Sequence, residues 1–231
     1  MRFSIVFDNY KANEKLESFW GFSCMINENF LFDTGSNGRA LVRNMVKMGF
    51  DIKKLEYLFI SHPHWDHIGG IDSIVDINRD LTLFLPDSLS QLYIRDLKTL
   101  SKEVKVINEY SRKLFDDFYS TGIMHPVGEH SLVIDEGDFG IVVVGCSHPG
   151  IVNIVKRAKE IINKPILYAI GGFHLFRSKE EEIEKVVKNI IDLGVEYVTP
   201  THCTGDLAIE MFKSAYKENY IPGGVGRIIE F

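Results

Sequence analysis

Two apolar runs in this chain, Leu58-Phe59-Ile60 and Gly140 to Val144, break off into the same tripeptide, Ser-His-Pro, at 61–63 and at 147–149. The second is followed by helix-like spacing over Ile151 to Ile162, the first by a helix or turn over Ile68 to Val75. A strand, a turn of fixed chemistry and a helix used twice is the pattern of a sandwich of two related halves, and it sets His148 where His62 stands in the first half. Two further strands end the same way. Pro165 to Ile170 runs into Gly171-Gly172-Phe173-His174 before the charged helix Ser178 to Leu193, and Val195 to Val198 runs into Thr201-His202-Cys203 before the helix Leu207 to Lys217. Strands alternating with helices make the chain α/β.

Nearer the N-terminus, Arg2 to Phe7 alternates like a strand, and Phe19 to Ile26 with Asn29 to Phe32 reads as a hairpin around Asn27-Glu28. Asp33-Thr34-Gly35 ends that hairpin, and Arg39 to Met48 has the three-and-four spacing of a helix stopped by Gly49. Residues 78–130 are less regular and poor in ligand-type side chains, which suggests an insertion or lid on a single domain spanning 1–231.

The stretch His62-Pro63-His64-Trp65-Asp66-His67 puts imidazoles and a carboxylate within six residues of a strand end. Such groups crowd together to hold a divalent cation. His62 and His64 can turn to one ion, while Asp66 and His67, one turn later, face a second, so two ions are expected. With the later strand ends included, one ion takes His62, His64 and His148, and the other takes Asp66, His67 and His202. Zinc is the first expectation, with manganese, iron or magnesium as alternatives. His174 is then left to bind a substrate phosphate or to shuttle a proton, and Asp66 to orient the nucleophile, making Asp66 and His174 the candidate catalytic residues. Asp33 is expected to accept a hydrogen bond from a ligand histidine. Trp65, between ligands, should shape the site wall; Arg39, with the amides of Ser36-Asn37-Gly38, could hold an anion. Phe173 and Phe176 are expected in the core.

The motif H-x-H-x-D-H after an apolar strand, with Gly69-Gly70 following, resembles the metallo-β-lactamase superfamily. That resemblance implies a four-layer αββα sandwich with the metals at one edge. Gly145 to Asn153, Gly171 to Leu175, Thr201 to Gly205 and Asp33-Thr34-Gly35 are similar to one branch of it, named for 7,8-dihydropterin-6-methyl-4-(β-D-ribofuranosyl)aminobenzene-5′-phosphate synthase. The branch implies metal ions holding a diphosphate that is displaced from a pterin methyl group. Many superfamily members carry a bridging Asp at a strand end between the third and the last histidine; the nearest equivalent here is Cys146, a possible ligand that reads first as a buried turn residue, as does Cys203.

A net charge of −6 argues against a general binder of nucleic acid. No apolar run reaches about 18 residues, so no membrane span is expected. The three cysteines, Cys24, Cys146 and Cys203, are odd in number and far apart, unlike a secreted disulfide framework, and a cytoplasmic location follows as an expectation. The leading reading is a metal-dependent enzyme acting on a phosphorylated or diphosphate small molecule, by transfer or hydrolysis. The alternatives are a general metallohydrolase of phosphoesters, lactones or thioesters and, in another class, a di-iron redox protein.

Overall fold

The computed structural model describes all 231 residues, Met1–Phe231. They divide into two compact units, Met1–Ile107 with Gly223–Phe231, and Asn108–Pro222.

The first unit is built on a seven-stranded sheet. Its strands are β1 (Arg2–Asp8), β2 (Phe22–Ile26), β3 (Phe30–Phe32), β4 (Tyr57–Phe59), β5 (Thr82–Pro86), β6 (Glu103–Ile107) and β13 (Ile228–Glu230), in the spatial order β13-β1-β2-β3-β4-β5-β6. The β2–β3 hairpin turns at Asn27, as expected, and from β3 to β6 the pairing is parallel. Helices α1 (Gly38–Lys47), α2 (Trp65–Ile68), α3 (Ile71–Ile77) and α4 (Gln91–Leu100) complete it. Ala40, Leu41 and Met45 form the buried stripe of α1 and pack with Ile71, Ile74 and Val75 of α3 over Val6, Met25, Leu31, Leu58 and Leu83. Val46 falls outside that stripe and is exposed. The other sheet face carries Phe22, Phe30, Phe32, Phe59 and Phe84, all buried, with Phe32 stacked on Phe59 at 5.1 Å. Both faces being buried is why these parallel strands read as continuous apolar runs rather than as alternation.

The second unit is built on six strands, β7 (Arg112–Phe115), β8 (Phe118–Ser120), β9 (Leu132–Asp135), β10 (Gly140–Val144), β11 (Ile166–Gly172) and β12 (Tyr197–Thr201), in the order β12-β11-β10-β9-β8-β7. An antiparallel meander, β7-β8-β9-β10, passes into a parallel half, β10-β11-β12. Helices α5 (Ile151–Ile162), α6 (Glu180–Asp192) and α7 (Asp206–Tyr216) follow the parallel strands in turn. Their buried stripes, Ile151, Ile154, Val155 and Ala158 on α5, Ile183, Val187 and Ile190 on α6, and Ala208 and Phe212 on α7, cover Val142, Val144 and Ala169. The fold is thus α/β, and each unit is a sheet backed by helices.

Residues 78–130 are more regular than the sequence suggests. They contain β5, α4 and β6, the two strands paired in register from Thr82↔Glu103 to Pro86↔Ile107, and then the β7–β8 hairpin. The apolar run 81–85 is an inner strand, and β6 is a mostly half-buried edge strand whose polar residues hid it. No helix is long and apolar enough to cross a membrane.

Candidate metal centre

In the first unit, the loops after β3 and β4 carry the ligand-type residues. His64 is the N-cap of the short helix α2, which turns Asp66 and His67 back towards His62. The His62 ring lies 4.2 Å from that of His67 and 4.6 Å from that of His64, centroid to centroid. His67 Nε2 is 3.8 Å from Asp66 Oδ2. The β3 loop grips this turn by its backbone: Thr34 donates to the His67 carbonyl through both its amide and its hydroxyl, each at 2.8 Å. Gly70 is what permits the approach, since a Cβ there would stand 2.6 Å from the Thr34 carbonyl oxygen.

Asp33 ties the cluster together by hydrogen bonds. Its fully buried carboxylate accepts from His67 Nδ1 at 2.7 Å, from the Ser61 amide at 2.7 Å and from the Ser61 hydroxyl at 2.7 Å. Burial pushes the Asp33 carboxyl up from the ordinary range, and His67 and the two Ser61 donors oppose it. All three donors converge on the carboxylate as an acceptor, which favours its ionised form. Because the Ser61 hydroxyl gives its proton to Asp33, His62 Nδ1 donates in turn to Ser61 Oγ at 2.9 Å. With Nδ1–H committed, the lone pair of each neutral ring lies on Nε2, the atom a metal would take.

The second unit repeats the device with a residue that sequence reasoning missed. Glu129, fully buried ahead of β9, accepts from the Cys146 and Ser147 amides through Oε1 at 2.9 and 2.8 Å. Its Oε2 accepts from the His148 amide and from His148 Nδ1, each at 2.8 Å. One carboxylate therefore shapes the whole loop after β10 and fixes the His148 tautomer.

The three parallel strand ends of this unit are laced together. Ser147 Oγ donates to the Gly172 carbonyl at 2.7 Å, the Gly172 amide donates to the Gly145 carbonyl at 3.1 Å, and the Phe173 amide donates to Thr204 Oγ1 at 2.9 Å. Gly172 must lack a side chain, since a Cβ would meet Cys203 Sγ and the Gly145 carbonyl oxygen at 2.6 Å each. The lacing gathers Cys146, His148 and His174, whose donor atoms lie within 4.8 Å of one another, and sets Cys146 Sγ 3.4 Å from His202 Nε2. Against burial, hydrogen bonds with the Cys146 side chain and then with His174 bring the Cys203 thiol below its usual range, and the same contact with Cys203 holds the His174 imidazole above its own.

Cys146 and Cys203 are buried, as expected, but Cys146 is more than a turn residue because its sulfur faces an imidazole. Phe173 is core, packed on Phe212 at 5.3 Å. Phe176 is not: it is exposed, edge-on to His174 at 5.4 Å, with the Arg177 guanidinium over its ring. Trp65 is 64% exposed. Asn37 is occupied in capping α1 through the Ala40 amide at 3.1 Å, and Arg39 is exposed on that helix.

In each unit the donor set suits a divalent cation: imidazoles whose Nδ1 is held by a buried acceptor, with the Asp66 carboxylate beside them in the first unit and the Cys146 thiol in the second. Comparison with known proteins agrees. The metallo-β-lactamase superfamily profile matches residues 26–211, and the chain belongs to that superfamily, whose members are mostly metal-dependent hydrolases or related enzymes. It is similar to the 7,8-dihydropterin-6-methyl-4-(β-D-ribofuranosyl)-aminobenzene-5′-phosphate synthase of Methanocaldococcus jannaschii, 28% identical over 89% of this chain and 85% of that one. A ribonuclease Z of Lactobacillus helveticus is 30% identical over 62% of this chain and 47% of its own. Among solved structures, a metal-dependent hydrolase of the β-lactamase superfamily superposes with a TM-score of 0.84 at 28% identity, covering 100% of this chain and 99% of the other.

Proposed function

We propose that the protein is a dinuclear metal-dependent enzyme acting on a phosphorylated or diphosphate small molecule, with His62, His64, Asp66 and His67 of the first unit and His148 and His202 of the second as its metal ligands. The observation that carries this reading is the matched pair of buried carboxylates. Asp33 and Glu129 each hold a ligand-type histidine by Nδ1, an arrangement that turns Nε2 into a metal ligand and raises its basicity. When bound, the cations supply Lewis acidity and neutralise phosphate charge. Zinc is the first candidate.

Around them, Asp66 orients the attacking group, and His174, beside the His148 ring at 4.4 Å, binds a phosphate oxygen or hands on a proton. Trp65, exposed next to the ligands, forms a wall against the organic part of the substrate. The similarity to the archaeal synthase over most of both chains supports group transfer from a pterin diphosphate. Plain hydrolysis is the second reading, favoured by likeness across the full chain to a protein described as a metal-dependent hydrolase. Three free cysteines suit a reducing compartment.

The test is to load the protein with zinc and offer a dihydropterin diphosphate with and without an arylamine ribose phosphate. Coupling requires both and yields a new carbon–carbon bond; pyrophosphate or phosphate release from the first alone means hydrolysis. Zinc-loaded protein inert towards these and towards a panel of phosphoesters would refute the substrate class.

A further inference from the structure

We propose that Phe176 and Arg177, on the turn after β11, form a binding platform for an aryl phosphate, that is, a flat aromatic group carrying a phosphate or phosphonate. The exposed part of the Phe176 ring packs against the aromatic group, and the Arg177 guanidinium pairs with the anion. This rests on the reading of a phosphorylated substrate above and deepens it, since it names what the second unit recognises in that substrate.

The turn is built to hold both side chains out. Ser178 donates its amide to the Leu175 carbonyl at 2.9 Å, which makes Phe176 and Arg177 the two central residues of a β-turn. Its base is anchored, with Leu175 buried in the core of the unit and Lys179, directly after the turn, capping α6. From below, the Phe176 amide donates to the Cys203 carbonyl at 3.3 Å, and Gly205 comes so near that a Cβ there would stand 2.6 Å from Phe176 Cα. The loop after β12 thus fills the space into which the ring could sink, and Phe176 stays 42% exposed. An aromatic ring held in water by its own backbone forgoes the burial that such side chains ordinarily supply. What it gains is position. The ring stands edge-on to the exposed His174 at 5.4 Å, and the Arg177 guanidinium lies 5.1 Å from its centre. No carboxylate of this chain pairs with that guanidinium, so its N–H fork is open to an anion. Its charge also reaches His174: the contact with Cys203 raises that imidazole, and Arg177 opposes the rise. A ring, an imidazole and a guanidinium therefore meet at one exposed corner, and together they suit a ligand that is both aromatic and anionic.

The experiment titrates the zinc-loaded full chain with benzylphosphonate and with methylphosphonate, which carries the same anion without the ring. Zinc takes either anion alike, so the difference between the two ligands isolates the ring. The wild type should bind benzylphosphonate more tightly, by about 2- to 10-fold. In Phe176→Ala that preference should vanish while methylphosphonate binding stays unchanged. In Arg177→Ala both ligands should weaken by about tenfold, with part of the loss recovered in Arg177→Lys, and zinc content should match the wild type throughout. If Phe176→Ala failed to fold, Phe176→Leu, which keeps apolar bulk without a ring, carries the same expectation. Equal affinity of the wild type for the two ligands, or no binding of benzylphosphonate, would overturn the platform. So would a preference that survives the loss of the ring, or an affinity untouched in Arg177→Ala. The functional reading fails separately: a wild type that shows the preference but is inert towards phosphoesters sinks that reading and leaves the platform standing. Phosphoester turnover with unaltered KM in both alanine variants does the reverse.

Discussion

Glu129→Gln should weaken zinc binding without touching any ligand. The carboxylate accepts four hydrogen bonds in a fully buried position, two at each oxygen. An amide of the same shape keeps one acceptor and turns the other into a donor, so one pair of N–H groups must face an NH2. The better orientation keeps the Cys146 and Ser147 amides bonded and places the NH2 against His148. The His148 backbone amide then lacks an acceptor, at a cost of about 1–3 kcal/mol, while the ring can recover a bond only by moving its proton from Nδ1 to Nε2. That swap removes the lone pair that a metal needs. At about 2 kcal/mol the melting temperature of the metal-free form should fall by about 4–8 °C, and zinc affinity by about 10- to 100-fold. A chromogenic chelator competition gives the second quantity and a thermal melt in excess chelator the first. Unchanged zinc affinity in a variant that melts lower would refute the claim that Glu129 sets the His148 tautomer.

Asp33→Asn should act on His67 in the same way, lowering zinc affinity by about 10- to 100-fold, and a competition titration that matches the wild type would count against the hold of Asp33 on His67. Gly172→Ala forces a methyl to 2.6 Å from the Gly145 carbonyl oxygen and from Cys203 Sγ. It should cost about 1–3 kcal/mol by overpacking and reduce bound metal, read by melting and elemental analysis; a wild-type melt would show that the lacing is looser than its distances suggest. Trp65→Ala, at an exposed position, should change stability by less than about 0.5 kcal/mol and leave zinc content intact while raising KM. Metal loss equal to that of His64→Ala would refute its role as a wall.

Legibility in the sequence followed the reach of each interaction. Residues 62–67 could be read because the cluster is contiguous, and His148, His174 and His202 because each follows a parallel strand, the place where such sheets gather function. Glu129 could not. It stands 17 to 19 positions before the amides it binds, in no motif, and a lone acid before a strand looks like any solvated charge. Ser61 was passed over as half of a Ser-His-Pro repeat, although its hydroxyl is the link between Asp33 and His62. Phe176 misled in the opposite direction, since an aromatic next to a strand end is usually core, and here the loop leaves it outside against His174. The strands β6, β7 and β8 escaped because their residues are largely exposed or half-buried, so the apolar periodicity that marks a core strand is weak in them.

The backbone itself carries a record of what the site needs. Eight non-glycine residues have positive φ, and Asn27, Asp116, Asn163 and Lys217 sit at hairpin turns or helix ends, where such a conformation closes an element. The other four, Asp33, Ser147, His174 and His202, each lie within three residues of the end of a β-strand. A left-handed residue costs about 1–2 kcal/mol, and four such costs at four loops are not needed to end a strand. What they obtain is direction. The turn at Asp33 brings one carboxylate onto both Ser61 and His67, and the one at Ser147 sends its hydroxyl to Gly172 between the Cys146 and His148 side chains. At His202 the same conformation turns the imidazole to the Cys146 sulfur. The lacing bonds between strand ends over-determine these conformations and offset their cost, which is how strain persists at a functional centre. Left-handed residues that no turn or helix end requires are thus confined to the loops after β3, β10, β11 and β12, the segments that hold or brace the histidine clusters, and that placement points to a functional centre independently of residue type.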